Sequence, residues 1–281
     1  MASRNYYYLI AGLPDLTIDQ GKLQFGSVEF RKYLKTQLHR KDYQLIEWLF
    51  LPHDNQNLLK LLNKEDFVWD EAGIYTREEM EMAFTEEPYQ IKPYMVKFIA
   101  SFKSEIRLMP EKTPENELTT IYFNEVLKVK NDFLRAWFEF DLNLRNLILF
   151  SSAQKYNLSC DQDLIGNNKI ASTLKQKVGR DIGEAAEWLY YEKVNQALES
   201  GDIAVREKAI DQLKWNYLNE MNTFNYFSIE IIVSYIIKLT IIERWLKLDP
   251  KEGEKLFRRL LGDLQSSYEF PKEFNVNDGK K

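Results

Sequence analysis

The 281-residue chain contains one cysteine, Cys160, and two histidines, His39 and His53. A lone cysteine excludes an intramolecular disulfide and fits a reducing compartment. Neither histidine falls in a Glu-x-x-His or His-Glu-x-x-His arrangement, which excludes the di-iron bundle and zincin patterns and leaves both with structural roles. No glycine-rich phosphate loop is present, and Gly179-Arg180-Asp181-Ile182-Gly183 lacks the strand that must precede a dinucleotide turn. It reads as a helix break. Lys and Arg are scattered, with a net charge of −5 and a pI near 5.4, so no basic face is offered to a nucleic acid. The tyrosine-rich Tyr6–Ala11 stretch is too short for a signal peptide and is expected to be the first structured element. Without secretion, the Asn157-Leu158-Ser159 sequon carries no modification.

Hydrophobic periodicity is abundant. In Ser228–Leu248, Ile229, Ile232, Val233, Ile236 and Thr240 share one helical face and Ile231, Tyr235, Ile242 and Leu246 a second. Glu230, Ser234 and Lys238 leave a narrow polar stripe. Glu230, Lys238, Glu243 and Arg244 argue against a bilayer span, since a charge at mid-membrane costs at least ~2.5 kcal/mol. A helix apolar on most of its circumference belongs at the centre of a helical bundle.

In chain order, Ser27 is read as the N-cap of a helix over Val28–Phe50 stopped by Pro52, with a second helix over Asn55–Asn63. Thr76 and Glu79 form a capping box opening Thr76–Ala83, and Tyr94–Ile106 follows. Met109–Glu117, with Pro110 and Pro114, reads as a linker. Leu118–Ser151 reads as one long amphipathic helix. Shorter segments at Asp161–Ile165 and Asn168–Lys177 precede helices over Glu184–Leu198, Ile203–Asn222, Ser228–Leu248 and Gly253–Leu264. Strands are scarce. The expected fold is all-α: an N-terminal helical lobe (1–108), a linker (109–117), C-terminal helical lobes (118–270) and a frayed tail (271–281). A shift of 99 positions lays Phe133–Leu149 on Ile232–Leu248, and the reverse shift sets Leu34, Leu38 and Leu45 against the same region. Either the chain holds three related lobes or amphipathic helices have been slid into chance agreement.

Glu139, Asp141, Glu184, Glu187, Glu230 and Glu243 are the carboxylates available for acid–base pairing, but helical carboxylates are more often solvated or ion-paired. Asp141 with Arg145 and Glu243 with Lys247 stand at i, i+4, each worth a few tenths of a kcal/mol if exposed. Asp141 lies among apolar neighbours, and the Asp141–Arg145 pair is expected to fix helix register. Tyr6-Tyr7-Tyr8 and Tyr190-Tyr191 read as packing residues at lobe or subunit contacts. No catalytic, cofactor or metal site emerges.

Several stretches resemble one family. Tyr6-x-Tyr8-x-x-Ala11, Glu139-Phe140-Asp141-Leu142-Asn143-Leu144-Arg145, Leu198-Glu199-Ser200-Gly201-Asp202 with Glu207-x-x-x-Asp211, and Phe227–Trp245 with Tyr235 and Glu243-Arg244 are similar to the C subunit of V/A-type ATPases (subunit d of the vacuolar enzyme). The opening YYYLIAGLPDL is closer still to an uncharacterised Bacteroidetes family encoded among V/A-type ATPase genes. Gly12-Leu13-Pro14 departs from the C-subunit pattern, and the chain is shorter than typical members. The resemblance implies a funnel of three helical lobes and a non-catalytic rotor subunit in ATP-linked ion or proton transport. Its partners would be the central stalk and the membrane proteolipid ring, and its location the cytoplasmic face of the inner membrane, as a peripheral subunit. It implies no cofactor, no nucleic acid and no small-molecule substrate. A helical adaptor or assembly factor accompanying the same ATPase is the alternative. Either role implies an exposed apolar or aromatic patch on the isolated chain.

Overall fold

The computed structural model describes residues 4–85, 90–175 and 187–248. The described residues form eleven α-helices and no strand. They are α1 (Tyr7–Ala11), α2 (Ser27–Gln37), α3 (Arg40–Leu62), α4 (Arg77–Met82), α5 (Pro93–Lys103), α6 (Pro114–Val126), α7 (Asp132–Lys155), α8 (Lys169–Lys175), α9 (Tyr191–Glu199), α10 (Ile203–Met221) and α11 (Ile229–Lys247). The Gly179–Gly183 break, the start of the 184–198 helix, the 253–264 helix and the tail lie outside the described residues.

Helix α11 is the hub that its composition implies. Ile229, Ile232, Val233, Ile236, Leu239 and Ile242 are buried in a cluster that runs continuously from Phe30 to Ile242, and α11 packs against α2, α3, α7 and α10. Its polar stripe is not wet throughout: Ser234 is buried, and Thr240, assigned to the inner face, is exposed. A smaller cluster of Phe150, Ala153, Cys160, Leu164, Ile170 and Leu174 closes the far end of α7. No described helix is long and apolar enough to cross a membrane.

Several expected boundaries hold. The Thr76–Glu79 capping box is made in both directions, α10 starts at an Asp202 N-cap, and Ser228 precedes α11. Four do not. The expected Val28–Phe50 helix breaks at Leu38 and His39, whose backbones are extended; His39 caps α3 through Nδ1, which accepts from the Lys41 N–H at 3.2 Å. Leu38 stays buried across the break, so the apolar spacing does not betray it. The expected Leu118–Ser151 helix is two helices, separated where Asn131 adopts an extended conformation and caps α7 by accepting from the Leu134 N–H. The segment expected as 161–165 is a turn.

The fourth departure concerns Pro52, which sits inside α3 rather than ending it. Proline in a helix interior removes one hydrogen bond and costs about 3 kcal/mol or more, partly because the carbonyl four residues back loses its donor. That carbonyl belongs to Trp48, and the buried Tyr122 hydroxyl of α6 donates to it at 2.7 Å. A side chain 74 residues away makes the proline tolerable. Tyr122→Phe should therefore cost about 1–3 kcal/mol by leaving the carbonyl unpaired. In a Pro52→Ala background, where the residue 52 N–H returns, the same change should cost less. Urea melts of the four proteins measure this coupling, and its absence would show that Tyr122 does not serve the proline.

Candidate functional site

The sequence directs attention to Asp141, Arg145, Tyr235, Glu243 and Arg244, and the structure shows what each side chain meets. Asp141, on α7, does not pair with Arg145. Its Oδ1 lies 3.0 Å from Nζ of Lys214 on α10, while Arg145 is exposed one turn further along α7. Helix α10 packs on this face of α7, so the nearer cation comes from another helix. Burial would lower the Lys214 pKa, but the Asp141 charge and hydrogen bond outweigh it and the ammonium is held above its ordinary value.

Arg244 reaches α10 from the last turn of α11. Its Nη1 meets Glu207 Oε2 at 3.0 Å, Nη2 donates to Asp211, and the Trp245 indole N–H donates to the same Asp211 oxygen at 2.7 Å. Asp211 is buried and Glu207 stands one turn before it. Burial opposes the Arg244 charge, but these two carboxylates raise its pKa. Two stretches that sequence reading singled out separately thus meet at one node.

Glu243 does not use Lys247. Its carboxylate accepts from the Ser27 backbone N–H at 2.7 Å and the Ser27 hydroxyl at 2.5 Å, capping α2 from 216 residues away. The N-cap residue of α2 is Gly26, which has no side chain to do this. A Cβ on Gly26 would lie 2.7 Å from Glu243 Oε1, so glycine makes room for the foreign carboxylate. Glu230, near the other end of α11, accepts from the Asn131 amide at the N-terminus of α7. Both acids complement a helix N-terminus, where the backbone dipole favours negative charge. Glu243→Ala should cost about 2 kcal/mol, since it leaves a half-buried N–H and hydroxyl unpaired. Gly26→Ala should be harmful alone yet nearly neutral once Glu243 is alanine, and thermal melts of the four variants test this.

Tyr235 donates to the Pro14 carbonyl at 3.1 Å and packs its ring against Phe25 and Phe30. Burial, reinforced by Asp15, pushes its pKa to about 12. Asp141, Glu243 and Arg244 therefore sit in helix-to-helix joints and Tyr235 ties α11 to the N-terminal segment, while Asp141, Arg145 and Arg244 line a cleft of about 610 Å³ among α6, α7, α10 and α11. Of the other carboxylates, Glu139 and Glu187 are exposed, and Glu184 lies outside the described residues. No group of three or more His, Cys, Asp or Glu among the described residues is placed to hold a metal ion.

A further exposed feature is aromatic. The Tyr6 N–H donates to the Phe227 carbonyl at 2.6 Å and the Tyr7 and Phe227 rings stand 4.7 Å apart, joining α1 to the loop that enters α11. This end exposes Tyr8 (97%), Phe224 (86%) and Tyr226 (68%). Tyr6 itself is anchored: its hydroxyl donates to Asp42, and burial with that bond pushes its pKa to about 12. Tyr190 is a packing residue, set edge-on to Phe140 and Tyr217.

The model of one protein family, described as "Protein of unknown function (DUF2764)", matches residues 1–268. The chain belongs to the DUF2764 family. No curated protein and no solved structure matches it. In this DUF2764 chain, sequence reasoning missed two fully buried carboxylates, Asp54 and Glu117. Both sit in polar stretches without an apolar rhythm, the signal used to find buried positions.

Proposed function

We propose that the protein is the non-catalytic coupling subunit of a V/A-type rotary ATPase, standing between the central stalk and the proteolipid ring and passing torque between them. The observation that carries this reading is the aromatic end surface of Tyr7, Tyr8, Phe224, Tyr226 and Phe227. Large rings left in water on one end of a well-packed helical body suit a subunit made to dock. The body beneath them is braced for load. Helix α11 is tied to α2 by Glu243, to α10 by Arg244, to α7 by Glu230 and to the N-terminal segment by Tyr235. The stretches that resemble the C subunit lie on these joints: Tyr6-x-Tyr8-x-x-Ala11 against Phe227, and Glu207-x-x-x-Asp211 against Arg244. Transmission of torque needs stiffness and contact area and no reacting group. In this reading the chain is peripheral, on the cytoplasmic face of the membrane that holds the ring.

The test is gentle detergent purification of the host ATPase followed by mass spectrometry of the intact rotor. One copy of this chain retained with ring and stalk after the catalytic head is stripped is the expected result. Tyr8→Ser with Phe224→Ser should fold normally and lose that retention. A complete rotor without the chain would overturn the proposal and leave an adaptor or assembly factor.

A further inference from the structure

A cavity of about 300 Å³ lies between α11 and the N-terminal segment. Ile231, Ser234, Tyr235 and Lys238 line it from α11, at i, i+3, i+4 and i+7 on one face. Ile10, Leu13 and Leu16 give it an apolar wall, and Asn222, the residue that ends α10, adds an amide. Pockets of this size, mostly apolar with a few polar groups, are the usual form of a small-ligand site.

Two of these polar groups lack the partner that their burial calls for. Ser234 is only 2% exposed, and its hydroxyl has no hydrogen-bond partner among the described residues. Buried hydroxyls are nearly always paired, so this one calls for an acceptor from outside the chain. Lys238 is half-buried; its Nζ donates to Asn219 Oδ1 at 2.7 Å and stands 5.1 Å over the Trp215 ring. Burial lowers its pKa, and no carboxylate among the described residues offsets that. An ammonium has three donors, and Asn219 takes one. Asp15 also lines the cavity, but its charge adds to burial in raising the Tyr235 pKa and does not act on Lys238. The α11 face therefore presents donors suited to one anion, beside hydrocarbon.

We propose that this cavity binds a monocarboxylic acid with a short hydrocarbon body. Its carboxylate accepts from Ser234, Lys238 and the Asn222 amide, and its chain lies on Ile10, Leu13, Leu16 and Ile231. Asp15 disfavours a second carboxylate. The proposal is independent of the rotor assignment. Isothermal titration of the full-length chain with octanoate tests it. Octanoate should bind saturably at one site, with 1-octanol and the dicarboxylate suberate each at least about 10-fold weaker. Lys238→Met keeps the side-chain bulk and should weaken octanoate about 10-fold. Ser234→Ala should weaken it about 3-fold yet leave the melting temperature unchanged or higher, because no internal bond is lost. Lys97→Met, at an exposed position of α5, should change neither. Bound octanoate should slow hydrogen exchange at the Leu13, Asp15 and Leu16 amides, which places it in this cavity. The absence of saturable binding would overturn the proposal, as would octanol binding as tightly as octanoate, or an affinity unchanged in both Lys238→Met and Ser234→Ala. A lower melting temperature for Ser234→Ala would also overturn it, by showing that the hydroxyl is paired within the fold. The tripeptide Ala-Leu-Leu with a free C-terminus presents the same chemistry from another source. Tighter binding of that peptide than of octanoate would overturn the free-acid assignment and give the cavity to a polypeptide end.

Discussion

Glu117→Ala is expected to destabilise the protein by about 3–5 kcal/mol, the usual cost of breaking a buried ion pair from one side. Glu117 is fully buried at the first turn of α6. One carboxylate oxygen accepts from the backbone N–H groups of Leu108 and Met109 at 2.8 and 3.2 Å. The other takes the Arg107 guanidinium, whose Nη2 also donates to the Lys112 carbonyl at 2.9 Å. Lys112, buried as well, donates its ammonium to the carbonyls of Gln162 and Leu164. Burial lowers the Lys112 pKa, but these carbonyls take up its donors. Removing the Glu117 carboxylate strands two backbone donors and a guanidinium together. The melting temperature should fall by roughly 6–20 °C for a chain of this size. Glu115→Ala, two residues earlier and exposed, should change stability by less than about 0.5 kcal/mol. Equal effects from the two substitutions would show that the buried network carries no weight.

The second large effect is expected at Gly73. A Cβ there would stand 2.5 Å from Asp54 Oδ1. Asp54 is fully buried in α3 and accepts from the backbone N–H groups of Ile74 and Tyr75 at 2.8–3.0 Å, holding the loop before α4 against the helix. Asn57 grips the same loop through the Asp70 backbone, His53 Nδ1 meets Asp70 Oδ2 at 2.6 Å, and Arg31 donates to the Ala72 carbonyl. Gly73→Ala must push Asp54 off its donors or the loop off α3, at about 2–3 kcal/mol. Chemical denaturation measures this, and an unchanged midpoint would mean the loop yields freely.

Asp54 also gives a pH signature. Burial pushes its pKa to about 6, against the pull of the Ile74 and Tyr75 donors and the charges of Arg31 and His53. Because the folded pKa lies above the unfolded one, the folded chain holds this proton more tightly. The contribution is therefore fully present below about pH 4 and lost as pH rises through 6. Compared with Asp54→Asn, which does not titrate, the unsubstituted chain should lose about 2–3 kcal/mol between pH 4 and pH 7. A stability difference that stays constant over that range would contradict the assignment.

Local signals were reliable where a single element is self-contained. The Thr76–Glu79 capping box, the Asp202 cap and the extent of α10 and α11 follow from side chains within four residues of the boundary. The sequon residue Asn157 shows the limit of such motifs. It has a positive φ of 53° at the C-terminus of α7, where the Leu158 N–H closes onto the Ala153 carbonyl, so its role is to end a helix. Pro52 carries an equally local stop signal, and it was overridden because Tyr122 supplies the missing donor from another helix.

The sequence by itself determined the helical class, the central place of α11 and the residues with which that helix grips its neighbours. Periodicity reports which face of a helix shuns water, and a run of strongly apolar residues leaves few ways to satisfy it. Only the tertiary structure decided the partners: Lys214 rather than Arg145 for Asp141, Ser27 rather than Lys247 for Glu243, and a fully buried Glu117 in a stretch that reads as a polar linker. A charged side chain pairs with whichever group the packed helices bring within about 3 Å, and contacts spanning 216 residues leave no spacing in the chain from which to read them.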